Sequence, residues 1–228
     1  MDLQQEQQQW WARWQEGRIG FHLPEVNPLL IRYVHSLVTD THPDETSCIL
    51  VPLCGKSKDL IWLQSYFHQV IGVELVPKAV KAFFKENQIT PTHSQKNPFV
   101  TYQHANLALL QGDIFQMTSK HLEDQLIQAV FDRASLIALP DELRKNYVEL
   151  LRGLVSPNTK LLLVTLAYEE GVISGPPHSV PENEIFDLFA FATNIELLEK
   201  QDILSKSPNF HKAGLRWAHE AVYLITFP

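Results

Sequence analysis

The chain lacks the features that would place it in a membrane, in a secretory pathway or on a polyanion. No apolar run approaches the roughly 20 residues that a membrane-spanning helix needs. Residues 1–9 are rich in glutamine and lack the basic-then-apolar order of a signal peptide. The net charge of −7 disfavours a nucleic-acid partner, because proteins that bind nucleic acids usually carry a basic face. We therefore expect a cytoplasmic protein that binds neither membrane nor nucleic acid.

Cysteine is scarce as well, with Cys48 and Cys54 the only two. Because a reducing cytoplasm keeps thiols free, we predict that both serve packing and form no bridge. Neither belongs to a Cys-x-x-Cys or Cys/His pattern with metal-ligand spacing, and the ten histidines are scattered. We predict no metal site. Gly-x-Ser-x-Gly is also absent, which argues against a serine hydrolase of that type.

The chain instead alternates apolar strand-like runs with helical patterns, and 45% of its 228 residues are hydrophobic. Alternation of this kind predicts an α/β domain with a parallel sheet, and the length suits a single domain spanning 1–228. Seven strands are predicted, at 48–54, 70–74, 107–111, 128–132, 160–166, 194–198 and 221–226. The first five should form a parallel core with helices on both faces, and the last two an antiparallel hairpin. Residues 90–106 are predicted to be a surface excursion and residues 39–47 a loop.

The first 37 residues predict two helices with a break around 17–24, and Pro28 suits the first turn of the second helix. Trp10 and Trp14 lie on one face of the first helix, because they are four residues apart. This aromatic stripe is either core or a lid that excludes water from a ligand cleft. Later helices are predicted over 77–86, over 140–153 with Gly153 as C-cap, and from Glu182.

Two strand ends carry the pattern of a site for a nucleotide-like ligand. Gly55 follows the first strand, where a residue without Cβ lets the backbone approach a ligand, although a tight turn would explain it equally well. Neither Gly-x-Gly-x-x-Gly nor a P-loop is present. Glu74 ends the second strand, 19 residues after Gly55, close to the spacing of an acid that accepts hydrogen bonds from ribose hydroxyls. The alternative is an exposed glutamate at a strand end.

Later segments add polar or rigid groups to the same edge. Asp113, after the third strand, either meets an adenine edge or caps a turn. Arg133 either pairs with Asp132 or another carboxylate to brace the loop, or turns its fork of donors toward a cofactor or an anionic acceptor. The loop Gly175-Pro-Pro-His-Ser-Val-Pro181 is either a rigid crossover or the place where an acceptor sits. On these residues alone, an adenosine-binding α/β enzyme is the favoured interpretation.

These segments together resemble the thiopurine S-methyltransferase family from Trp10 to about Leu224, and the compact length looks like its bacterial branch. The matching pieces are Trp10…Trp14…Gly20-Phe21-His22, Pro52-Leu-Cys-Gly-Lys56, Gly72-Val-Glu74, Asp132-Arg-Ala134 and Gly175-Pro-Pro177. The Pro-Leu-Cys-Gly-Lys and Gly-Pro-Pro pieces are the most specific.

The resemblance implies a class I methyltransferase fold, S-adenosylmethionine as methyl donor, and a small-molecule thiol such as a thiopurine as acceptor. It places Trp10, Leu53, Glu74 and Arg133 at the cofactor, with Glu74 on the ribose and Arg133 as the catalytic residue between cofactor and acceptor. Trp14, Gly55, Asp113 and Ile114 follow as further cofactor neighbours. Residues 1–37 would form a helical lid, and a monomer is the default expectation.

One departure from the family leaves the acceptor open. Some animal members have a second arginine near the C-terminal loop, whereas 207–214 here has none, so His211 and Lys212 are the candidates to compensate. Close relatives methylate halide, thiocyanate or inorganic selenium species, and these acceptors, with tellurium, stay possible. Two rival classes remain: an NAD-dependent oxidoreductase, which Gly55 and Glu74 would also suit, and a non-catalytic adenosine-binding module.

Overall fold

A computed structural model describes residues 3–38, 46–122 and 125–228. The strands are β1 (Cys48–Val51), β2 (Gln69–Glu74), β3 (Thr92–Lys96), β4 (Phe99–His104), β5 (Leu107–Gln111), β6 (Ile127–Asp132), β7 (Val155–Tyr168), β8 (Asn194–Asp202) and β9 (Ala218–Thr226). The helices are α1 (Leu3–Gln15), α2 (Pro28–Tyr33), α3 (Asp59–Leu63), α4 (Pro77–Glu86), α5 (Asp141–Leu154), α6 (Glu182–Leu188) and α7 (Pro208–Lys212). Most of the loop predicted at 39–47 lies outside the described residues.

All of these strands join one sheet in the order β3-β4-β5-β2-β1-β6-β7-β9-β8. The five central strands, β5, β2, β1, β6 and β7, run parallel to one another. Strand β9 is antiparallel to both β7 and β8, between which it lies. The predicted parallel core and antiparallel C-terminal pair are confirmed.

The predicted number of seven strands is wrong, because the described residues contain nine. The segment at 90–106, expected to be a surface excursion, forms the hairpin β3–β4, which extends the sheet beyond β5. Every residue of β3 is exposed, so the strand carries no apolar pattern that sequence reading could detect. Backbone pairing at a solvated edge, rather than burial, makes it a strand.

Helices cover both faces of the sheet, as predicted. On one face α2, α3 and α4 pack side chains such as Leu30, Leu63 and Phe83 against strand residues that include Ile49. On the other face α5 and α6 pack against the alternate strand residues, with Tyr147 at the centre. Strand β1 is buried on both faces, as its continuous apolar run indicated. No helix in the described ranges is long and apolar enough to cross a membrane.

The start of α2 and the end of α5 test two predictions about helix ends. Pro28 occupies the first turn of α2, whose cap Asn27 accepts a hydrogen bond from Leu29 N–H at 2.8 Å. The predicted cap at Gly153 is wrong: α5 continues to Leu154, and the chain passes at once into β7 with extended backbone at Val155. The turn that a glycine cap would supply is absent because helix and strand are directly joined.

Gly72 is expected to be intolerant of a side chain. A Cβ on this β2 residue would overlap Leu109 Cδ2 and lie 2.9 Å from Cys54 Sγ, so Gly72→Ala should lower the free energy of unfolding by about 1–3 kcal/mol. Gly153→Ala is the control, because open space surrounds that helical position and alanine should stabilise it by about 0.5–1 kcal/mol. Urea unfolding of both variants checks this, and equal effects would contradict the packing argument.

Candidate active site

The loops that leave the carboxyl ends of β1, β2, β5 and β6 converge at one edge of the sheet, beneath α1. Strand β1 has β2 on one side and β6 on the other, so this edge is the switch point at which ligands of open α/β sheets bind. A cavity of about 40 Å³ remains there. Its lining comprises Leu3, Glu6, Gln7 and Trp10 of α1, together with Leu53, Val73, Leu75, Gly112, Asp113, Ile114, Phe115 and Leu139.

The loop after β1 is held tightly against the end of β2. Cys54 N–H donates to the carbonyl of Val73 at 2.9 Å, and Gly55 N–H donates to Glu74 Oε2 at 2.9 Å. Both Leu53 (φ 46°) and Gly55 (φ 58°) adopt left-handed backbone. For a leucine this conformation is uncommon and often marks a functional loop. The positive φ of Gly55 supports the tight-turn explanation, and a Cβ there would lie 3.4 Å from Trp14. The approach of this loop to a ligand stays a prediction.

Glu74 is buried rather than exposed at its strand end. Besides Gly55 N–H on Oε2, its Oε1 accepts the N–H of Val76 at 2.6 Å. Burial raises the pKa of the Glu74 carboxyl to about 7, although both backbone hydrogen bonds favour the ionised form. Each carboxylate oxygen has a second lone pair, so the group can still accept ligand hydroxyls.

Asp113 is a cap, as one of its two interpretations predicted. Its Oδ1 accepts the N–H of Phe115 at 2.9 Å and starts a short 3₁₀ turn over Ile114–Gln116. Gly112 N–H donates to the backbone carbonyl of Glu74 at 2.9 Å, which ties this turn to β2. Since Asp113 and the buried Ile114 also line the cavity, capping and ligand contact are compatible.

Arg133 does not pair with Asp132, so that bracing interpretation is wrong. Asp132 is buried and accepts Tyr147 O–H at 2.6 Å and Ser135 N–H at 2.8 Å instead. Arg133 Nη1 donates to the carbonyl of Phe21 at 2.8 Å, and the guanidinium has no ion-pair partner among the described residues. Burial lowers its pKa, which nearby Asp59 and Glu220 partly offset. Its remaining donors are therefore free for an anionic ligand.

The aromatic residues of α1 form a small cluster over this edge. Phe21 meets Trp10 edge-on at 5.6 Å and Trp14 at 5.9 Å between ring centroids. Trp14 is buried against Val76 and Ala79 at the start of α4. The indole N–H of Trp10 is buried without a hydrogen-bond partner. The aromatic stripe of α1 is therefore packed in a small core of its own, and Trp10 also lines the cavity.

The loop at 175–181 is a crossover into α6, with one face toward the loop after β6. His178 N–H donates to the carbonyl of Ile137 at 2.7 Å, and Tyr168 O–H donates to that of Pro177 at 2.6 Å. The helix predicted to start at Glu182 is confirmed. His211 and Lys212, the candidates near the C-terminus, are exposed at the end of α7.

The described residues contain no cluster of three or more His, Cys, Asp or Glu side chains that would hold a metal ion. Cys48 and Cys54 are both free and buried, as expected. Burial raises the pKa of the Cys48 thiol to about 12, so it is an inert packing group at neutral pH.

Sequence reasoning missed two acidic residues near this edge. Asp59 is buried and accepts Asn27 N–H at 2.7 Å, which joins the start of α2 to the segment after β1. Glu6 is buried on α1 and lines the cavity. The available signal for Glu6 was its spacing, because it lies four and eight residues before Trp10 and Trp14 and thus shares their helical face.

Comparison with known proteins decides the family. A family model described as thiopurine S-methyltransferase (TPMT) matches residues 5–227. The thiopurine S-methyltransferase of Pseudomonas paraeruginosa is 43% identical over 216 residues, which cover 95% of this chain and 96% of the relative. That of Vibrio atlanticus is 44% identical over 217 residues, which cover 95% of each chain. The chain belongs to the thiopurine S-methyltransferase family.

Solved structures support the class I methyltransferase fold. A SAM-dependent methyltransferase from Anabaena variabilis superimposes with a TM-score of 0.66 at 14% identity and covers 97% of this chain and 95% of its own. A Burkholderia thailandensis 1,6-didemethyltoxoflavin-N1-methyltransferase, solved with S-adenosylhomocysteine, has a TM-score of 0.60 at 14% identity over 97% of this chain and 86% of its own. The fold agrees with the family, and membership of this family favours methyl transfer over the dehydrogenase and non-catalytic alternatives.

The raised pKa of Glu74 predicts a pH-dependent stability. Folded Glu74 keeps its proton to about pH 7, whereas the unfolded chain releases it near the ordinary value of 4.5. The stability contribution is therefore fully present below pH 4.5 and falls as the pH rises toward 7. Between pH 4.5 and 8, wild type should lose about 2–3 kcal/mol more of its free energy of unfolding than Glu74→Gln does.

The measurement for this prediction is urea unfolding at several pH values. Glu86→Gln is the control, because Glu86 is exposed and pairs with Lys56. Parallel pH profiles for wild type and Glu74→Gln would contradict the assignment.

Proposed function

We propose that this chain is an S-adenosylmethionine-dependent S-methyltransferase that acts on aromatic or heterocyclic thiols such as thiopurines. One observation carries the proposal: several residues that the family resemblance assigns to the cofactor line one cavity at the switch point of the sheet. That cavity is lined by Trp10, Leu53, Asp113 and Ile114, and also by Val73 and Leu75, the two sequence neighbours of Glu74.

The residues around the cavity fit an adenosyl cofactor. Glu74 would accept the ribose hydroxyls, and Gly55 and Leu53 would bring the loop after β1 close to the ligand. Ile114 and Asp113 would flank the base. The buried, unpartnered indole N–H of Trp10 offers a donor that folding alone leaves unused.

We further propose that α1 is a lid within a single domain. The cavity of about 40 Å³ is small beside the roughly 300–1,000 Å³ of ordinary ligand pockets. Since α1 covers it, cofactor entry requires this helix or its side chains to move. Closure of Trp10 and Trp14 over a bound cofactor would then exclude water from the reaction.

When bound, S-adenosylmethionine supplies a methyl group on a sulfonium centre, ready for a single in-line displacement by the acceptor sulfur. An aromatic thiol is already largely thiolate near neutral pH, so its methylation needs no strong base from the protein. Arg133 would attract and orient the anionic acceptor with the guanidinium donors that Phe21 does not use. Catalysis by this chain would thus come from alignment and water exclusion.

We also propose that the enzyme works as a cytoplasmic monomer on a small-molecule acceptor. Two free, buried cysteines suit a reducing compartment. Sedimentation velocity of the purified chain tests the oligomeric state, and a stable dimer would contradict it.

The experiment that tests the function measures S-adenosylhomocysteine by mass spectrometry after incubation with S-adenosylmethionine and one acceptor at a time. The panel is 6-mercaptopurine, an aromatic thiol, selenite and iodide. We expect product with the two thiols. Product with selenite or iodide only would move the acceptor to the inorganic class, and no binding of S-adenosylhomocysteine would contradict the proposal as a whole.

Arg133→Ala is expected to lower kcat/KM for 6-mercaptopurine by about tenfold to hundredfold, the range for losing a hydrogen bond to a charged group. The melting temperature should change little, because the side chain makes one hydrogen bond to protein. Arg216→Ala is the matched control, since Arg216 is exposed and pairs with Glu169 at 3.0 Å. Steady-state kinetics with both variants checks this, and equal kcat/KM values in Arg133→Ala and wild type would remove Arg133 from the mechanism.

A further inference from the structure

Glu6 is a buried carboxylate whose position folding alone does not explain. Its residue is only 4% exposed, and Oε2 has no hydrogen-bond partner. None of the described residues forms an ion pair with Glu6. Burial raises the pKa of its carboxyl, and nearby positive charge, that of Arg13 included, offsets this only in part. A buried carboxylate oxygen in this state is unfavourable in the protein without ligand, and no side chain or backbone group of the described residues donates a hydrogen bond to it.

The carboxylate belongs to the lining of the cavity beneath α1. It shares that cavity with Gly112, Asp113, Ile114 and Phe115, which follow β5. Glu142, at the start of α5, lies close enough to act on its charge. Trp14, two helical turns further along α1, sits instead beside Gly55 and α4. Glu6 thus faces a cavity that includes the turn after β5, whereas Trp14 lies beside the loop after β1.

The β5 end is where the base of an adenosine ligand would lie. Glu74 ends β2 and is the proposed ribose contact, and β5 is the next strand on the side away from β1. A ligand that places its ribose on Glu74 therefore carries its base over the turn at Gly112–Phe115. This step rests on the proposed function.

Adenine offers one hydrogen-bond donor on its six-membered ring, the exocyclic amino group, while its ring nitrogens accept. Asp113 already uses Oδ1 to cap the turn. Glu6 has the complementary chemistry, an unused acceptor in a dry setting. We infer that Glu6 accepts a hydrogen bond from the adenine amino group and makes the site specific for a 6-amino over a 6-oxo purine.

The test compares two neutral-sulfur ligands that differ at the 6-position of the purine and in the hydrogen that the 6-oxo form carries on N1. Calorimetry would give the Kd of S-adenosylhomocysteine and of S-inosylhomocysteine, in which an oxo group replaces the amino group. Wild type should prefer the adenosyl ligand, and Glu6→Leu should reduce that preference by about tenfold or more. Glu6→Gln, which keeps one acceptor oxygen, should retain part of it. Glu16→Leu is the control, because Glu16 is exposed just beyond α1 and pairs with Arg18.

A structural role for Glu6 makes a different prediction. Without ligand, Glu6→Leu should unfold at the same temperature as wild type or higher, because it removes an unpaired buried charge. A lower melting temperature, or equal weakening of both ligands, would overturn the inference.

The two proposals fail in distinguishable ways. If wild type binds S-adenosylhomocysteine and Glu6→Leu keeps the full preference, the inference about Glu6 is wrong and the proposed function stands. If wild type binds neither ligand, the proposed function is wrong, and the role of Glu6 is wrong with it.

Discussion

The carboxylate of Glu74 joins three backbone segments at the edge of the sheet. It ends β2, accepts Gly55 N–H from the loop after β1, and accepts Val76 N–H where α4 begins. A buried carboxylate needs such donors, so the left-handed turn at Leu53 and Gly55 and the start of α4 are positioned together. Burial still raises the pKa of this carboxyl in the protein without ligand. The two oxygens that hold the backbone segments together are therefore the same atoms that would accept ribose hydroxyls.

The N-terminal helix carries the second half of the site. Its buried face presents Glu6, Trp10 and Trp14, and two of these have a polar atom without a partner. The unused acceptor on Glu6 and the unused donor on Trp10 both belong to side chains that line the cavity. A helix that served only as core would not bury both, since unpaired polar groups destabilise a fold. Binding of a polar ligand resolves this, which is why we regard α1 as part of the binding site.

The sequence predicted those features that depend on local pattern. Buried parallel strands are continuous apolar runs, so the sequence predicts β1 and its neighbours. The apolar run before Glu74 places that residue at a strand end, and its spacing from Gly55 indicates a ribose contact. Strand β3 was missed because its exposed side chains carry no periodicity, and Gly153 misled because a helix that runs straight into a strand needs no cap. The partner of Asp132 was missed because Tyr147 approaches it from the following helix, and no motif encodes that contact. Glu6 was missed although its spacing to Trp10 and Trp14 was available, because a glutamine-rich segment gives no sign that this acid is buried.

We propose above all that an adenosyl cofactor binds beneath α1 at the carboxyl edge of the sheet. Hydrogen–deuterium exchange with and without S-adenosylhomocysteine tests it most directly. With ligand bound, we expect slower exchange in α1, in the loop at 52–57 and in the turn at 112–116. Exchange in β3 and β8, at the two edges of the sheet, should not change. Protection confined to other segments, or unchanged exchange in α1 at saturating ligand, would contradict it.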